Sequence, residues 1–403
     1  MIDFRHHHRA QDCIAQSYLT NSKRPESLVK GVYPTHLARG QGAFVWDHKG
    51  NKYLDFICGL GTSLLGYANA KVNAAIIDQV GKGASLSLAT HLELEAAEKL
   101  KEMFTFIDCV KWLKTGSEAC SAAVRIARAA TGRSVVFSEG YHGWHDDFVS
   151  LSSPAAGVPP RPFIGPLAWI DEPGWELKDA AAVIVEPVIT DTSAERIEWL
   201  KQLRADCTKH GVVLIFDEVI TGFRFPKFSV STHFAIEPDL ICLGKAIANG
   251  MPLACVGGKY AIMNGTEYFV SSTYAGETLS LAAAKETMKL LQTQHDLNWL
   301  WGNGQRFLDD FNALWPGKLE IEGYPTRGVF KGDPLVKALF WQEACKAGWL
   351  FGPSWFLSFP AVEETRHLMP ALTTIVQRIR RGEVEIQGEM PQSPFAQKVR
   401  ETT

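Results

Sequence analysis

Four short runs of uninterrupted apolar residues, separated by helical stretches, set the strongest limit on how this chain can fold. Val135-Val136-Phe137, Ala182-Val183-Ile184-Val185, Val212 to Phe216 and Leu240 to Leu243 show no polar alternation. A strand with water on one face alternates. A run that does not alternate is buried on both faces, as in a parallel sheet. The helical stretches include Glu118 to Ala130 and Ala194 to His210, and the second closes on Lys209-His210-Gly211, cations and then glycine. The pattern predicts an α/β fold in which helices cover a mostly parallel sheet. Ligands of such sheets gather at the carboxyl ends of strands. Asp217 and Lys245 both stand at such ends.

A lysine at the end of a buried strand is costly unless an amine is needed there. Partial desolvation lowers the pKa of an ammonium, and the free amine attacks an aldehyde to form a Schiff base. A carboxylate on a nearby strand end suits a pyridinium nitrogen. Lys245 and Asp217 are therefore the two polar partners that pyridoxal phosphate requires.

At 403 residues the chain suits one large domain with a smaller companion. The boundaries are read as an N-terminal segment 1–55, a large cofactor-binding domain 56–284 and a C-terminal small domain 285–403. The region from Phe44 to Phe56 reads as a hairpin with a Gly-Asn turn, Leu281 to about Gln294 as a long helix, and the segment after Arg381 as loosely packed or lying on a partner. Net charge is −3 and no long basic run occurs, so nucleic acid is not an expected partner. No apolar stretch reaches membrane-spanning length, and no apolar core follows the N-terminal charges as in a secretory signal. Eight scattered cysteines without Cys-x-x-Cys indicate neither a disulfide framework nor a zinc site, so a cytoplasmic setting is expected. His6-His7-His8 reads as a solvated arm with no further ligands nearby, and no metal is expected.

Thr115-Gly116-Ser117-Glu118-Ala119 opens an Ala-rich helix. Its glycine, serine hydroxyl and helix N-terminus suit an anion, although an ordinary capped helix carries the same residues. Glu139-Gly140-Tyr141-His142-Gly143-Trp144-His145 follows a strand, and an aromatic between two glycines can lie flat on a planar ring. These two segments, with Val-Glu-Pro at 185–187, Phe-Asp-Glu-Val-Ile-Thr-Gly-Phe-Arg at 216–224, Leu-Gly-Lys at 243–245 and Ser-Thr-Tyr-Ala-Gly at 272–276, occur in an order and at spacings that resemble the class III pyridoxal-phosphate aminotransferases. Within that class the chain looks most like the glutamate-1-semialdehyde aminomutase group, from about Gly42 to Leu290.

The resemblance implies fold type I and pyridoxal 5′-phosphate as cofactor. It implies that Lys245 forms the Schiff base and shuttles a proton, and that Asp217 keeps the ring nitrogen protonated. Val219 and Tyr141 would press on the two ring faces, with His142 of the same Tyr-His-Gly motif among the cofactor contacts. Gly116 and Ser117 would hold the phosphate. Thr273 matches a threonine that reaches the neighbouring subunit's phosphate, which implies a homodimer with shared active sites. Glu186 either orients polar groups near the cofactor or is a structural strand-end carboxylate.

Departures from the aminomutase pattern bear on substrate. Asp191 stands where the aminomutases place an asparagine beside the cofactor's phenolic oxygen, and must be protonated, hydrogen-bonded or turned away. The lid after Tyr-His-Gly looks shortened, to Ser152 through Pro160. Leu357 replaces a glutamate in Gly352-Pro353-Ser354-Trp355-Phe356-Leu357. Arg24 and Arg224 are the candidates for a substrate carboxylate, and Trp144, Trp355 and Phe356 for an apolar pocket. The expected activity is a ping-pong aminotransferase acting between an amine or amino acid donor and a carbonyl acceptor. The alternatives are glutamate-1-semialdehyde 2,1-aminomutase and a catalytically silent cofactor-binding paralogue.

Overall fold

The computed structural model describes residues 5–149, 157–158, 164–171 and 176–392. The chain divides into two compact units, Ala70–Asn298, and Met1–Asn69 together with Trp299–Thr403. The breaks thus fall at 69/70 and 298/299, where the sequence places them at 55/56 and 284/285. The helix Thr278–Thr293 packs on helices Ala70–Val80 and His91–Met103, which keeps it whole within the larger unit.

Seven strands form the sheet of the larger unit: β1 (Cys109–Leu113), β2 (Val135–Glu139), β3 (Ile164–Pro166), β4 (Ala180–Val185), β5 (Val213–Asp217), β6 (Leu240–Leu243) and β7 (Ala254–Gly258). Their spatial order is β1-β7-β6-β5-β4-β2-β3. The run β6-β5-β4-β2-β3 pairs in parallel, and β7 is antiparallel to both its neighbours. Every residue of β4, β5 and β6 is buried, as unbroken apolar runs require.

The two-residue period of the strands sorts these side chains between two cores. Ala182, Ile184, Val213 and Ile215 pack with helix α1 (Gly116–Thr131), whose Ala119, Ala122, Ala123 and Ala127 form its buried stripe. Val183, Val185, Leu214 and Phe216 face the other way, against helix α2 (Ala194–His210). Helix α1 begins in a capping box between Thr115 and Glu118, which satisfies the amides of those two residues. Helix α2 stops where expected, at Gly211 with φ 62°, a left-handed cap that suits glycine.

In the smaller unit the predicted hairpin pairs Phe44 with Leu54 and Trp46 with Lys52. Its turn is tied by Asp47, whose Oδ1 accepts the N–H groups of Lys49 and Asn51, both at 2.9 Å. An aromatic core fills this unit: Phe307 lies on Trp355 with ring centroids 5.2 Å apart and planes 8° from parallel. Phe56, Phe311, Phe340 and Phe351 are fully buried.

Two readings of the chain ends change. The tail after Arg381, as far as Gln392, is fastened to its own unit: Gln387 N–H donates to Gln342 Oε1 at 2.7 Å, and Gln342 donates back to the Glu385 carbonyl at 2.9 Å. The histidine triplet lies in a helix, Arg5–Cys13, with His7 buried. The His6 ring sits 4.5 Å from that of His48 and 5.9 Å from that of His36, so other histidines do lie nearby. Among the described residues no helix is long and apolar enough to cross a membrane.

Ile215 is fully buried between β5 and α1. Ile215→Ala should destabilise the protein by about 2–5 kcal/mol, the cost of a core cavity, seen as a lower midpoint in thermal unfolding followed by circular dichroism.

Candidate active site

Parallel pairing brings the carboxyl ends of four strands level. Glu139 lies opposite Val185, Val185 opposite Phe216, and Asp217 opposite Cys242. The segments that leave these strands gather along one edge: Tyr141 to Trp144 after β2, Glu186 after β4, Val219 after β5 and Lys245 after β6. Strand β1 runs in the same direction and leads through Thr115 into Gly116 and Ser117.

These segments touch. A Cβ on Gly116 would stand 2.9 Å from Val219 Cγ1, and one on Gly244, beside Lys245, 3.2 Å from the same atom. Val219 therefore bridges the start of α1 and the end of β6, with space only for glycine against it at Gly116. Gly143 has φ +106°, and a Cβ there would fall 2.1 Å from Ser117 Oγ. Neither backbone nor space allows another residue. Trp144 N–H donates to Ser117 Oγ at 3.3 Å, and Tyr141 N–H donates to Glu186 Oε1 at 2.7 Å. Glu186 thus holds the backbone of the tyrosine turn. Tyr141 is 50% and Trp144 69% exposed, so both side chains leave aromatic surface open at this edge. Lys245 opens a short helical turn with φ 44°, a left-handed conformation that costs a non-glycine residue about 1–2 kcal/mol.

Asp217 is the best-determined group of the edge. The side chain is 6% exposed, and its hydrogen bonds are directional. Oδ2 accepts from His142 Nδ1 at 2.7 Å and from the Cys120 thiol at 3.2 Å, while Oδ1 accepts the Val219 N–H at 3.1 Å. The other ring nitrogen of His142 faces the Glu139 carbonyl at 3.1 Å. A carbonyl can only accept, so Nε2 carries a proton. With a carboxylate on the other side Nδ1 carries one as well, and His142 is an imidazolium. Burial works against charge on both partners, and their mutual bond overcomes it. Asp217 is held below the usual carboxylate range, and His142 is lifted to about 10. Burial first, and then the Cys242 thiol and Asp217 beside it, push the Cys120 thiol well up, so it stays an S–H donor. The ligand atoms of Cys120, His142 and Asp217 lie within 4.8 Å of one another, a spacing that a metal could use. The protons between them account for the arrangement without one.

The sequence names Asp217 and His142 separately but not their ion pair, and it names Cys120 only among the scattered cysteines. The one available signal for Cys120 was its place in the small-residue stripe of α1, one turn after Gly116. Several other candidates are buried. Trp355, Phe356 and Leu357 are buried in the smaller unit, Trp355 with no exposed surface, and they are core. Arg24, in the same unit, is 8% exposed and donates from Nε to Ser27 Oγ at 3.2 Å. Arg224, in the larger unit, is 1% exposed. Asp191 is exposed and accepts the Ser193 N–H at 2.8 Å, a bond that holds it ionised. Of the options open for it, hydrogen bonding is the one found. Thr273 is exposed and lines a cleft of about 320 Å³ with Leu86, Leu88, Glu93 and Trp112. The shortened lid at 152–160 lies outside the described residues except for Gly157 and Val158.

The sign of the pH dependence comes from the pair. A lowered Asp217 contributes stability that is present above the unfolded value of about 3.9 and lost as pH falls through the folded one. A raised His142 contributes stability that is full below about 6.5 and lost as pH rises towards about 10. The difference in thermal midpoint between wild type and His142→Ala should be largest between about pH 4 and 6.5 and shrink progressively to pH 10.

Comparison with known proteins agrees with this geometry. The family model for class-III aminotransferases matches residues 29–164 and 175–335. A glutamate-1-semialdehyde 2,1-aminomutase of Syntrophobacter fumaroxidans is 31% identical, covering 84% of this chain and 88% of its own. A 3-aminobutyryl-CoA aminotransferase of Cloacimonas acidaminovorans is 32% identical, covering 80% and 79%. The FumI protein of Sphingopyxis sp. MTA144, solved in its pyridoxal-phosphate internal aldimine form, superposes with a TM-score of 0.84 at 25% identity, over 96% of this chain and 98% of that one. The chain belongs to the class-III aminotransferases, pyridoxal-phosphate-dependent enzymes built on this α/β fold.

Proposed function

We propose that this aminotransferase binds pyridoxal phosphate along the edge formed by Gly116, Ser117, Tyr141, His142, Glu186, Asp217, Val219 and Lys245, and transfers an amino group between two separate substrates. The observation that carries the reading is the Asp217 carboxylate. Three of its four lone-pair positions are taken by His142, Cys120 and Val219, and the fourth, on Oδ1, remains for a protonated ring nitrogen. The edge also fits the rest of the cofactor. Amides of the first turn of α1 have no acceptor inside the helix, and the Ser117 hydroxyl lies among them, which suits a phosphate dianion.

When bound, the cofactor supplies an electron sink for the substrate carbon. Asp217 holds a proton on the ring nitrogen, and the His142 imidazolium keeps Asp217 charged while it does so. Lys245 would hold the cofactor through its amine and would carry the substrate proton on and off. Val219 and Tyr141 would cover the ring, and Glu186 fixes the backbone that carries Tyr141. Thr273 reaches the phosphate of a second copy of the chain. The exposed Leu86, Leu88, Phe269 and Tyr274 support a homodimer by offering apolar surface that a neighbour would cover.

Two substrates are preferred over an intramolecular aminomutase because Leu357 is a buried apolar residue and supplies no polar contact at the position of the aminomutase glutamate. The exposed Trp144, together with the burial of Arg24 and Arg224, favours a donor recognised through apolar surface.

Lys245→Ala should keep cofactor affinity within about tenfold yet lose turnover by at least about a thousandfold. Thr273→Ala should weaken cofactor retention by roughly 1.5–3 kcal/mol, the worth of a hydrogen bond to a charged group. Mixed under subunit exchange, these two variants should regain one working site per heterodimer; no recovery would refute the shared site.

A panel of donors and acceptors distinguishes the activities. Parallel-line kinetics with an apolar amine donor and a separate keto acceptor are expected, with Trp144→Ala losing about tenfold in kcat/KM for that donor. Conversion of glutamate-1-semialdehyde to 5-aminolevulinate at an ordinary enzymatic rate, with no donor–acceptor pair active, would establish the aminomutase instead.

A further inference from the structure

Helix α1 carries two functions one turn apart. Its start, at Gly116 and Ser117, forms the proposed phosphate end of the site. Cys120, about 4.5 Å further along the axis at 1.5 Å per residue, turns its thiol onto Asp217 Oδ2 at 3.2 Å. Cys120 is 1% exposed, and Asp217 is the acceptor of its S–H. The two-residue period explains the meeting. Val213, Ile215 and Asp217 line the face of β5 that packs on α1, so the carboxylate ends the row directly beneath the helix.

We infer that Cys120 is a positioning residue for the transamination site: its S–H, with the His142 N–H, occupies both acceptor positions of Asp217 Oδ2 and so fixes the carboxylate's rotation, leaving the open position of Oδ1 for a ring nitrogen. This rests on the proposed role of Asp217. Held by one donor on each oxygen, His142 on Oδ2 and the Val219 amide on Oδ1, a carboxylate can still tilt about the line joining them. Held by two donors on Oδ2 and by the Val219 amide on Oδ1, it cannot. The cost of ordering it is then met on folding instead of on cofactor binding, which is the general benefit of preorganisation. Because the second donor comes from α1, the same rigid helix also sets the spacing between the phosphate end and the ring-nitrogen partner. The raised thiol pKa supports this, since the sulfur remains a donor throughout the working pH range.

The test compares Cys120→Ala, Cys120→Val and Cys120→Ser with wild type, as apoenzyme reconstituted with pyridoxal phosphate. Valine restores bulk without a donor; serine restores a donor. The readouts are the cofactor dissociation constant and, in the apoprotein, the low-field proton resonance of the His142 Nδ1–H. Alanine and valine should each weaken cofactor binding about three- to tenfold and shift that resonance, and serine should recover both towards wild type. Recovery by valine and not by serine would assign Cys120 to packing and overturn the inference, as would wild-type values in both alanine and valine. Should alanine fail to fold, the valine and serine pair decides alone. Asp217→Asn, measured alongside, separates the two levels. If it leaves cofactor binding unchanged, the reading of Asp217 itself fails; if it weakens binding while the Cys120 variants do not, only the inference about Cys120 falls.

Discussion

An ionised carboxylate at the end of a buried strand is the constraint around which the site is organised. Taking a carboxylate out of water costs several kcal/mol, and only a partner of opposite charge with good geometry offsets that. Asp217 has His142 at 2.7 Å, and the imidazolium is itself held on its far side by the Glu139 carbonyl at 3.1 Å. The pair is neutral overall and every hydrogen between its members is directed. Bringing a histidine from the end of β2 onto the end of β5, across the intervening β4, requires a tight turn. Gly140 and Gly143 provide it, with φ of +110° and +106°. The two glycines that flank Tyr141-His142 are thus a consequence of where the charge on Asp217 must be balanced.

Its neighbour shows the opposite use of a carboxylate. Glu218 has no exposed surface, and its two oxygens accept from Val230 N–H at 2.7 Å, Ser231 N–H at 2.9 Å and Thr221 Oγ1 at 2.8 Å. Burial pushes its pKa up, and those bonds partly offset the shift. It ties the loop after β5 to the short helix Val230–Phe234. Two adjacent acids in one motif therefore divide the work by orientation: one faces α1 and the cofactor edge, and the other closes the loop that supports it.

Elements whose identity depends on local pattern were legible in the sequence. The unbroken apolar runs predicted buried strands, and Gly211 marked the stop of α2. The Asp217 and Lys245 strand ends located the edge before any contact was known. What was not legible needs the third dimension. Nothing in the spacing of Cys120, His142 and Asp217, at 22 and then 75 residues, says that their polar atoms meet. Nor does the polar, charge-bearing composition after Arg381 reveal that Gln342 fastens the tail. The histidine triplet misled for the same reason, since His36 and His48 come from segments remote in sequence.

Departures from a family pattern carry substrate information through what each side chain can offer. Leu357, which replaces an acid of the aminomutase pattern, is buried at 1% exposure. An ionised glutamate in that position would need a partner of its own. Trp355 and Arg224 are buried as well, whereas the strand-end edge of the larger unit carries exposed aromatic surface. Tyr141 and Trp144 stand there with half or more of their surface exposed, on a turn pinned by Ser117 and Glu186. Rigid backbone beneath exposed aromatic rings is the arrangement that converts small differences in a ligand's shape into differences in affinity. Those two side chains therefore give the strand-end edge of the larger unit an exposed aromatic surface on a fixed support.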